Sequence, residues 1–267
     1  MTESQSETVF DDLLHELRHF PPPQAFADQA TANDPDLFQK AAEDPEGYWE
    51  QEARQLEWFE PWSKVLEWTP PHCKWFLGGK LNITHNCLDR HLEQNGDKAA
   101  LIWEGEPGDQ KTLTFAEVHA ETCRFANALK SLGIGKGDRV AIYMPMVPEA
   151  AIAMLACARI GAIHSVVFGG FSAESLSDRI NDSDCRALIT ADGGYRRGKI
   201  LPLKQTADKA LENTSTIEHV VVVRRDEKTA ASCSMAEGRD HWYHDLVAEA
   251  SDDCPAEPMD AEDVLFI

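Results

Sequence analysis

The sequence is poor in cations and has no paired cysteines. Only 25 lysines and arginines stand against 46 aspartates and glutamates, a formal net charge of −21 over 267 residues. A surface of that sign repels polyanions, which excludes general binding to nucleic acid or to anionic membranes; a phosphate-bearing ligand must be met by a local basic cluster. The seven cysteines, at 73, 87, 123, 157, 185, 233 and 254, stand singly, with no C-x-x-C pair. That argues against a zinc ribbon or a disulfide scaffold and for a reducing compartment. The opening MTESQSETVFDDLLHELRHF lacks the basic-then-apolar order of a secretory signal. The longest apolar run, Ala150 to Ala158, is too short to cross a bilayer. These absences lead us to expect a soluble, cytoplasmic protein with neither a nucleic-acid nor a membrane partner. With 43% apolar residues the chain has enough to bury a core.

Composition divides the chain into three stretches. Residues 1–26 are polar and acidic, with one amphipathic patch (VFDDLLHELRHF) before Pro21–Pro23 forbid a continuing helix, and read as a flexible or docked tail. Residues 27–90 contain Trp49, Trp58, Trp62 and Trp68 among carboxylates, and Trp49, Ala53, Leu56 and Phe59 recur at helical spacing. They predict helices whose large aromatics anchor them to a neighbouring domain. From residue 91 onward strands and helices alternate. AALIWEGEPGDQKTLTF predicts two strands around a turn. Thr114 and Glu117 form a capping box for a helix ending at Gly133, and Pro148 with Glu149 opens another. Strands RVAIYMP, IHSVVF, RALITA and HVVVVRR are separated by helices at SAESLSDRI and LPLKQTADKALEN; a further helix is expected at WYHDLVAEA and a last strand of the same sheet at DVLFI. Strands apolar on both faces, alternating with helices, imply an α/β fold with a doubly wound, mostly parallel sheet.

In such sheets ligands gather at the carboxyl ends of the strands, and two strand ends carry candidate chemistry. At the first, Phe168, Gly169 and Gly170 follow a buried strand, and Ser172 can cap the next helix. Adjacent glycines permit close approach of a flat ligand or simply make a tight turn. At the second, TADGGYRRGK, the cations Arg196, Arg197 and Lys199 surround Gly198 ahead of a helix. Arginine forks and helix-start N–H groups suit phosphate oxygens; a solvated basic loop fits the same residues. Asp192, 22 residues beyond Gly170, imitates a Rossmann-type dinucleotide-binding layout. The fingerprint fails there, because Phe171 and Glu174 occupy the positions that need glycine. GIGKGD at 133–138 precedes a strand and lacks the Ser/Thr of a phosphate loop. His241 and His244, three apart on the expected helix, lack an obvious third metal ligand. His164 reads as a hydrogen-bonded core residue, and Cys157 and Cys185 as core fillers.

Taken together, DPEGYWEQEARQLEWFEPWSKVLEW, WFLGGKLNITHNCLDRH, GDRVAIYMPMVPEAAIAMLACARIGAIHSVVFGGFSAESLSDRI and LITADGGYRRGKILPLK resemble the AMP-forming acetyl-CoA synthetases, in order, from about Asp34 to Ile267. The resemblance implies a two-step ligation: acetate and ATP give acetyl-adenylate and pyrophosphate, and the thiol of coenzyme A then displaces AMP. It also implies that Arg196, Arg197, Gly198 and Lys199 contact the coenzyme phosphates, with Phe168, Gly169 and Gly170 beside its adenine. Lys199 stands where the family often has a second arginine, and Arg197 where it is usually small. The family's Gly/Ser/Thr-rich ATP loop follows the strand matching DVLFI, and its acetate pocket, magnesium site and C-terminal domain lie further on. Residues 91–267 are therefore expected to be an adenylate-forming domain truncated before the ATP phosphate loop, with no catalytic residue of its own, low solubility from an exposed apolar sheet edge, and ATP and Mg sites beyond it. The alternative is a non-catalytic interaction module, or a split-gene half completed by a C-terminal polypeptide.

Overall fold

The computed structural model describes residues 18–231 and 233–267, so most of the amphipathic patch read near the start of the chain lies outside the described residues. The chain divides into two compact units, one up to Gln51 and one over Glu52–Ile267. The first carries helices α1 (Gln24–Ala27) and α2 (Leu37–Glu43) and all but the last two residues of α3 (Pro45–Ala53). Asp34 accepts a salt bridge from Lys40 at 2.6 Å. Among the described residues no helix is long and apolar enough to cross a membrane.

The second unit begins with a hairpin, β1 (Lys64–Thr69) and β2 (His72–Leu77). Helical spacing therefore misleads beyond Ala53: Leu56 and Phe59 lie past the end of α3, and Trp68 is on β1. Trp58 and Trp62 instead stack edge-to-face at 4.8 Å, and both rings meet Phe76 on β2. A Cβ on Gly79 would lie 2.6 Å from the Trp58 ring, so the indole requires the glycine. The chain continues through β3 (Lys80–Leu81), α4 (Ile83–Cys87), a 3₁₀ turn (Asp89–His91) and α5 (Leu92–Asn95), then through the hairpin β4 (Ala99–Glu104) and β5 (Gln110–Thr114).

Next come α6 (Phe115–Ser131), β6 (Arg139–Met144), α7 (Pro148–Arg159), β7 (Ile163–Phe168), α8 (Ala173–Asp182) and β8 (Ala187–Ala191). The expected capping box is present: Thr114 Oγ1 accepts from Glu117 N–H, and Glu117 accepts from Thr114 N–H at 2.8 Å. Gly133, at φ 76°, supplies the left-handed residue that ends α6. The chain closes with the hairpin β9 (Gly194–Arg196) and β10 (Lys199–Leu201), then α9 (Leu203–Leu211), β11 (His219–Val223), α10 (Glu227–Ala230), β12 (Asp240–Trp242), α11 (Tyr243–Glu249) and β13 (Met259–Asp260), which pairs antiparallel with β3.

Five strands form one parallel sheet in the order β12-β11-β8-β6-β7. The chain steps from β6 to β7 on one side, then crosses back to place β8 on the other, so β6 is the point where the winding reverses. Helices α6, α7 and α11 pack together, as do α8 and α9, and both groups touch the sheet. Coverage on both faces explains why Val140 to Tyr143 and Ala187 to Ala191 are buried at every position. The last strand expected at DVLFI is reduced to a single parallel bridge, His164 with Phe266, and the Ile267 N–H donates to His164 at 3.0 Å. Val264, Phe266 and Ile267 are exposed, as are Val166 and Phe168 on β7.

Two buried charge clusters tie these elements together. Lys204, at the start of α9, reaches Asp240 on β12 and Asp208, each at 2.7 Å, and Arg239 completes the set. Arg159, at the end of α7, donates both terminal nitrogens to Asp89 at 2.8 and 2.9 Å, and His119 of α6 approaches the same carboxylate at 3.4 Å.

Candidate functional site

Residues at or just after the carboxyl ends of β6, β7, β8 and β11 surround one cavity of about 310 Å³. This is where a doubly wound sheet opens a crevice. Met144 to Val147 come from the end of β6, Phe168 to Gly170 from β7, Gly194 to Arg196 from the segment after β8, and Arg225 from β11. Trp103 to Glu106, at the end of β4, close the remaining side. Trp103 is fixed there by its indole N–H, which donates to the Met146 carbonyl at 2.7 Å.

Four of the seven residues expected to bind coenzyme line this cavity: Phe168, Gly169, Gly170 and Arg196. The Arg196 guanidinium lies over the Phe168 ring, 5.2 Å from its centroid. A side chain at Gly170 would overlap that guanidinium and come within 2.7 Å of the Phe168 ring, and one at Gly169 would press on the Met144 carbonyl at 2.9 Å. Gly169 is needed for close approach to the backbone, and a side chain at Gly170 would push Arg196 off the Phe168 ring. Tyr143 holds the turn by donating its hydroxyl to the Phe171 carbonyl at 2.9 Å, and Ser172 caps α8 as expected.

The other three are placed differently. The cations do not lead directly into a helix, because Arg197 and Gly198 form the two-residue turn of the β9–β10 hairpin and α9 starts only at Leu203. Arg197, Gly198 and Lys199 are exposed at that turn, and no helix-start N–H groups assist them. Arg197 (φ 52°) and Gly198 (φ 71°) are both left-handed, which aims successive N–H groups to the same side. Those two N–H groups donate to the carboxylate of Glu106.

Asp192 is a brace. Its buried carboxylate accepts from the N–H of Gly193 and Arg225 at 2.7 and 2.9 Å and from the Thr229 hydroxyl at 3.0 Å, joining the ends of β8 and β11. Burial pushes its pKa up against those hydrogen bonds. No ribose could reach it, which disposes of the dinucleotide layout. His241 and His244 do not share a helix; His241 is on β12, where its Nε2 lies 3.2 Å from His219 Nδ1. Among the described residues no three His, Cys, Asp or Glu side chains are grouped to hold a metal. His164 is buried, but it is not the hydrogen-bonded residue expected: Nδ1 has no partner among the described residues, and burial lowers the pKa of the ring. Cys157 and Cys185 are core residues, and burial pushes the Cys157 thiol up to about 12.

Sequence reasoning missed Trp103, Tyr195, Arg225 and Glu106. Arg225 lies between two rings, 4.9 Å from the Trp103 centroid and 5.5 Å from Tyr195, and binds Asp109 at 2.6 Å. The readable signal was its position at the carboxyl end of a fourth parallel strand.

A family model described as "AMP-binding enzyme" matches residues 88–267, and one described as "Acetyl-coenzyme A synthetase N-terminus" matches residues 34–87. The acetyl-coenzyme A synthetases of Rubrobacter xylanophilus and Gemmatimonas aurantiaca are each 56% identical to this chain over 94% and 96% of its length. Acetyl-coenzyme A synthetase 2 of Pseudomonas putida is 51% identical over 95%. The chain spans about two fifths of the length of these curated relatives, 39%, 40% and 40% respectively. Matched over more than half of its residues, the chain belongs to the AMP-binding enzyme family, and its resemblance within that family is to the acetyl-coenzyme A synthetases.

Proposed function

We propose that this chain supplies one wall of the coenzyme A site of an AMP-forming acetate–CoA ligase and carries out no chemistry alone. The observation that carries the reading is the stack of Arg196 on Phe168 above Gly170, at the mouth of the cavity where the sheet reverses its winding. An exposed guanidinium fork beside an aromatic face and a missing side chain fits a phosphorylated purine nucleotide: the fork takes phosphate oxygens and the flat surface takes the base. Arg197 and Lys199 add charge from the hairpin turn. When bound, coenzyme A supplies the thiol that accepts the acyl group; the residues here hold and orient it.

On this reading the sites for ATP, magnesium and acetate belong to sequence beyond these 267 residues, in the same or a separate polypeptide. Residues 1–26 serve as a tail, 27–90 as the family's N-terminal segment and 91–267 as part of the adenylate-forming domain. The acidic surface and unpaired cysteines support a cytoplasmic protein acting on acetate, ATP and coenzyme A, with neither nucleic acid nor membrane as partner. Adenylation depends on positioning and on stabilising charge at the phosphates. Pyrophosphate exchange with acetate and ATP is therefore expected to stay at the no-protein level for the 267-residue chain, and exchange above that level would refute the assignment.

A further inference from the structure

The anion-accepting turn of the β9–β10 hairpin already holds an anion. Glu106 reaches it from the β4–β5 loop, 91 residues earlier in sequence, with one oxygen 2.9 Å from Arg197 N–H and the other on Gly198 N–H. The carboxylate thus takes up the paired backbone donors and leaves the neighbouring cations alone: among the described residues Arg196, Arg197 and Lys199 form no salt bridge. Its loop is held in place. Gly105 N–H donates to Asp109 at 2.7 Å, Gly108 N–H to Gly105 at 2.8 Å, and Asp109 is tied to Arg225. Glu106 and Arg196 line the same cavity, so this contact bridges its mouth.

We propose that Glu106 is an internal occupant of the anion site, displaced when a phosphate enters, and that this exchange sets which anions the site accepts. The inference rests on the coenzyme reading above. A carboxylate has one charge and two oxygens; a phosphate monoester has close to two charges and three oxygens, so it can take both turn N–H groups and an arginine fork together. A lone carboxylate ligand gains nothing over Glu106 and is excluded. A phosphate in the right place gains enough to displace it.

Two variants separate occupancy from bulk charge. Glu106→Ala vacates the turn, whereas Glu104→Gln removes an equal charge from the same cavity wall without touching it. In calorimetric titrations of the 267-residue chain with coenzyme A, Glu106→Ala is expected to bind about tenfold tighter than wild type, the net cost of giving up Glu106's two hydrogen bonds as the phosphate takes over their donors. Glu104→Gln is expected to change affinity by less than about twofold. Equal gains in the two variants, or none in Glu106→Ala, overturn the proposal while leaving the coenzyme site standing. The occupancy itself is read without ligand from the amide proton shifts of Arg197 and Gly198, which are expected to move upfield in Glu106→Ala and stay put in Glu104→Gln. If no chain binds coenzyme A, the coenzyme reading falls; inorganic pyrophosphate titrated into the same spectra then decides, and amides that do not differ between wild type and Glu106→Ala overturn the proposal.

Discussion

Replacing Asp240 by alanine is expected to destabilise the second unit by about 3–5 kcal/mol, the cost of leaving a buried charge without its partner. The Lys204 side chain is 1% exposed and that of Asp240 is fully buried. Asp208 remains within reach of Lys204, but it is partly exposed and shared with Arg239. The loss should be concentrated at the β11–β12 edge, because Asp240 is the residue that pairs with Val220 there. A double variant with Lys204→Met and Asp240→Leu removes both charges and is expected to recover most of the loss. Urea midpoints for the three chains measure this. A single-variant loss below about 1 kcal/mol would show that the cluster is solvated and holds nothing.

Asp89→Ala is the second large effect, expected at about 3 kcal/mol near neutral pH, because Arg159 then stays buried without its carboxylate. The cluster also makes stability depend on pH in a defined direction. The hydrogen bond to Asp89, helped by Cys123, raises His119 from 6.5 to about 9. Its folded pKa lies above its unfolded one, so protonated His119 contributes fully below about pH 6.5, and that contribution fades as pH rises and is gone above about 9. Burial works to raise the Asp89 pKa, but hydrogen bonds from Arg159 and His119 outweigh it and hold it well below 3.8. Its own contribution is present above that value and is lost as acid is added. Unfolding free energy of wild type measured from pH 6 to 9.5 should therefore fall with rising pH, and in Asp89→Ala much of that slope should vanish. Parallel slopes would exclude His119 as the source.

The parallel sheet was legible because its strands are buried on both faces, and continuous runs such as VAIY and ALITA admit few other readings. The capping box at Thr114 and the proline opening α7 were legible for local reasons. Three features were hidden. Strand β12 reads Asp-His-Trp and looks polar; it becomes a strand because Lys204, 36 residues earlier, neutralises Asp240. The β9–β10 hairpin reads as a basic loop, since an Arg-Gly turn with a left-handed arginine is not the usual Asn-Gly signal. Helical periodicity ran on past Ala53 because Leu56 and Phe59 keep the apolar spacing beyond the end of α3, where the chain turns toward the β1–β2 hairpin.

The site divides the same way. The strand-end glycines and Arg196 could be read from topology and local composition, as each follows a parallel strand. Glu106 and Trp103 could not, because they reach the cavity from the β4–β5 hairpin through tertiary contacts that no spacing encodes, whereas Tyr195 sits beside Arg196 on β9 and was as legible as its neighbour. The same contacts turn a run of three cations into one guanidinium at a cavity mouth and two charges on an exposed turn.

The central claim, that Arg196 and its hairpin hold the coenzyme phosphates, is tested most directly by calorimetric titration of coenzyme A and of 3′-dephospho-coenzyme A into wild type and into the Arg196→Ala, Arg197→Ala double variant. The account predicts weak but saturable binding of coenzyme A to wild type, and a loss of about tenfold or more in the double variant, since a hydrogen bond to a charged group is worth ~1.5–3 kcal/mol. Wild type should discriminate between the two ligands more than the double variant does. Equal affinities of wild type and double variant for coenzyme A would contradict it.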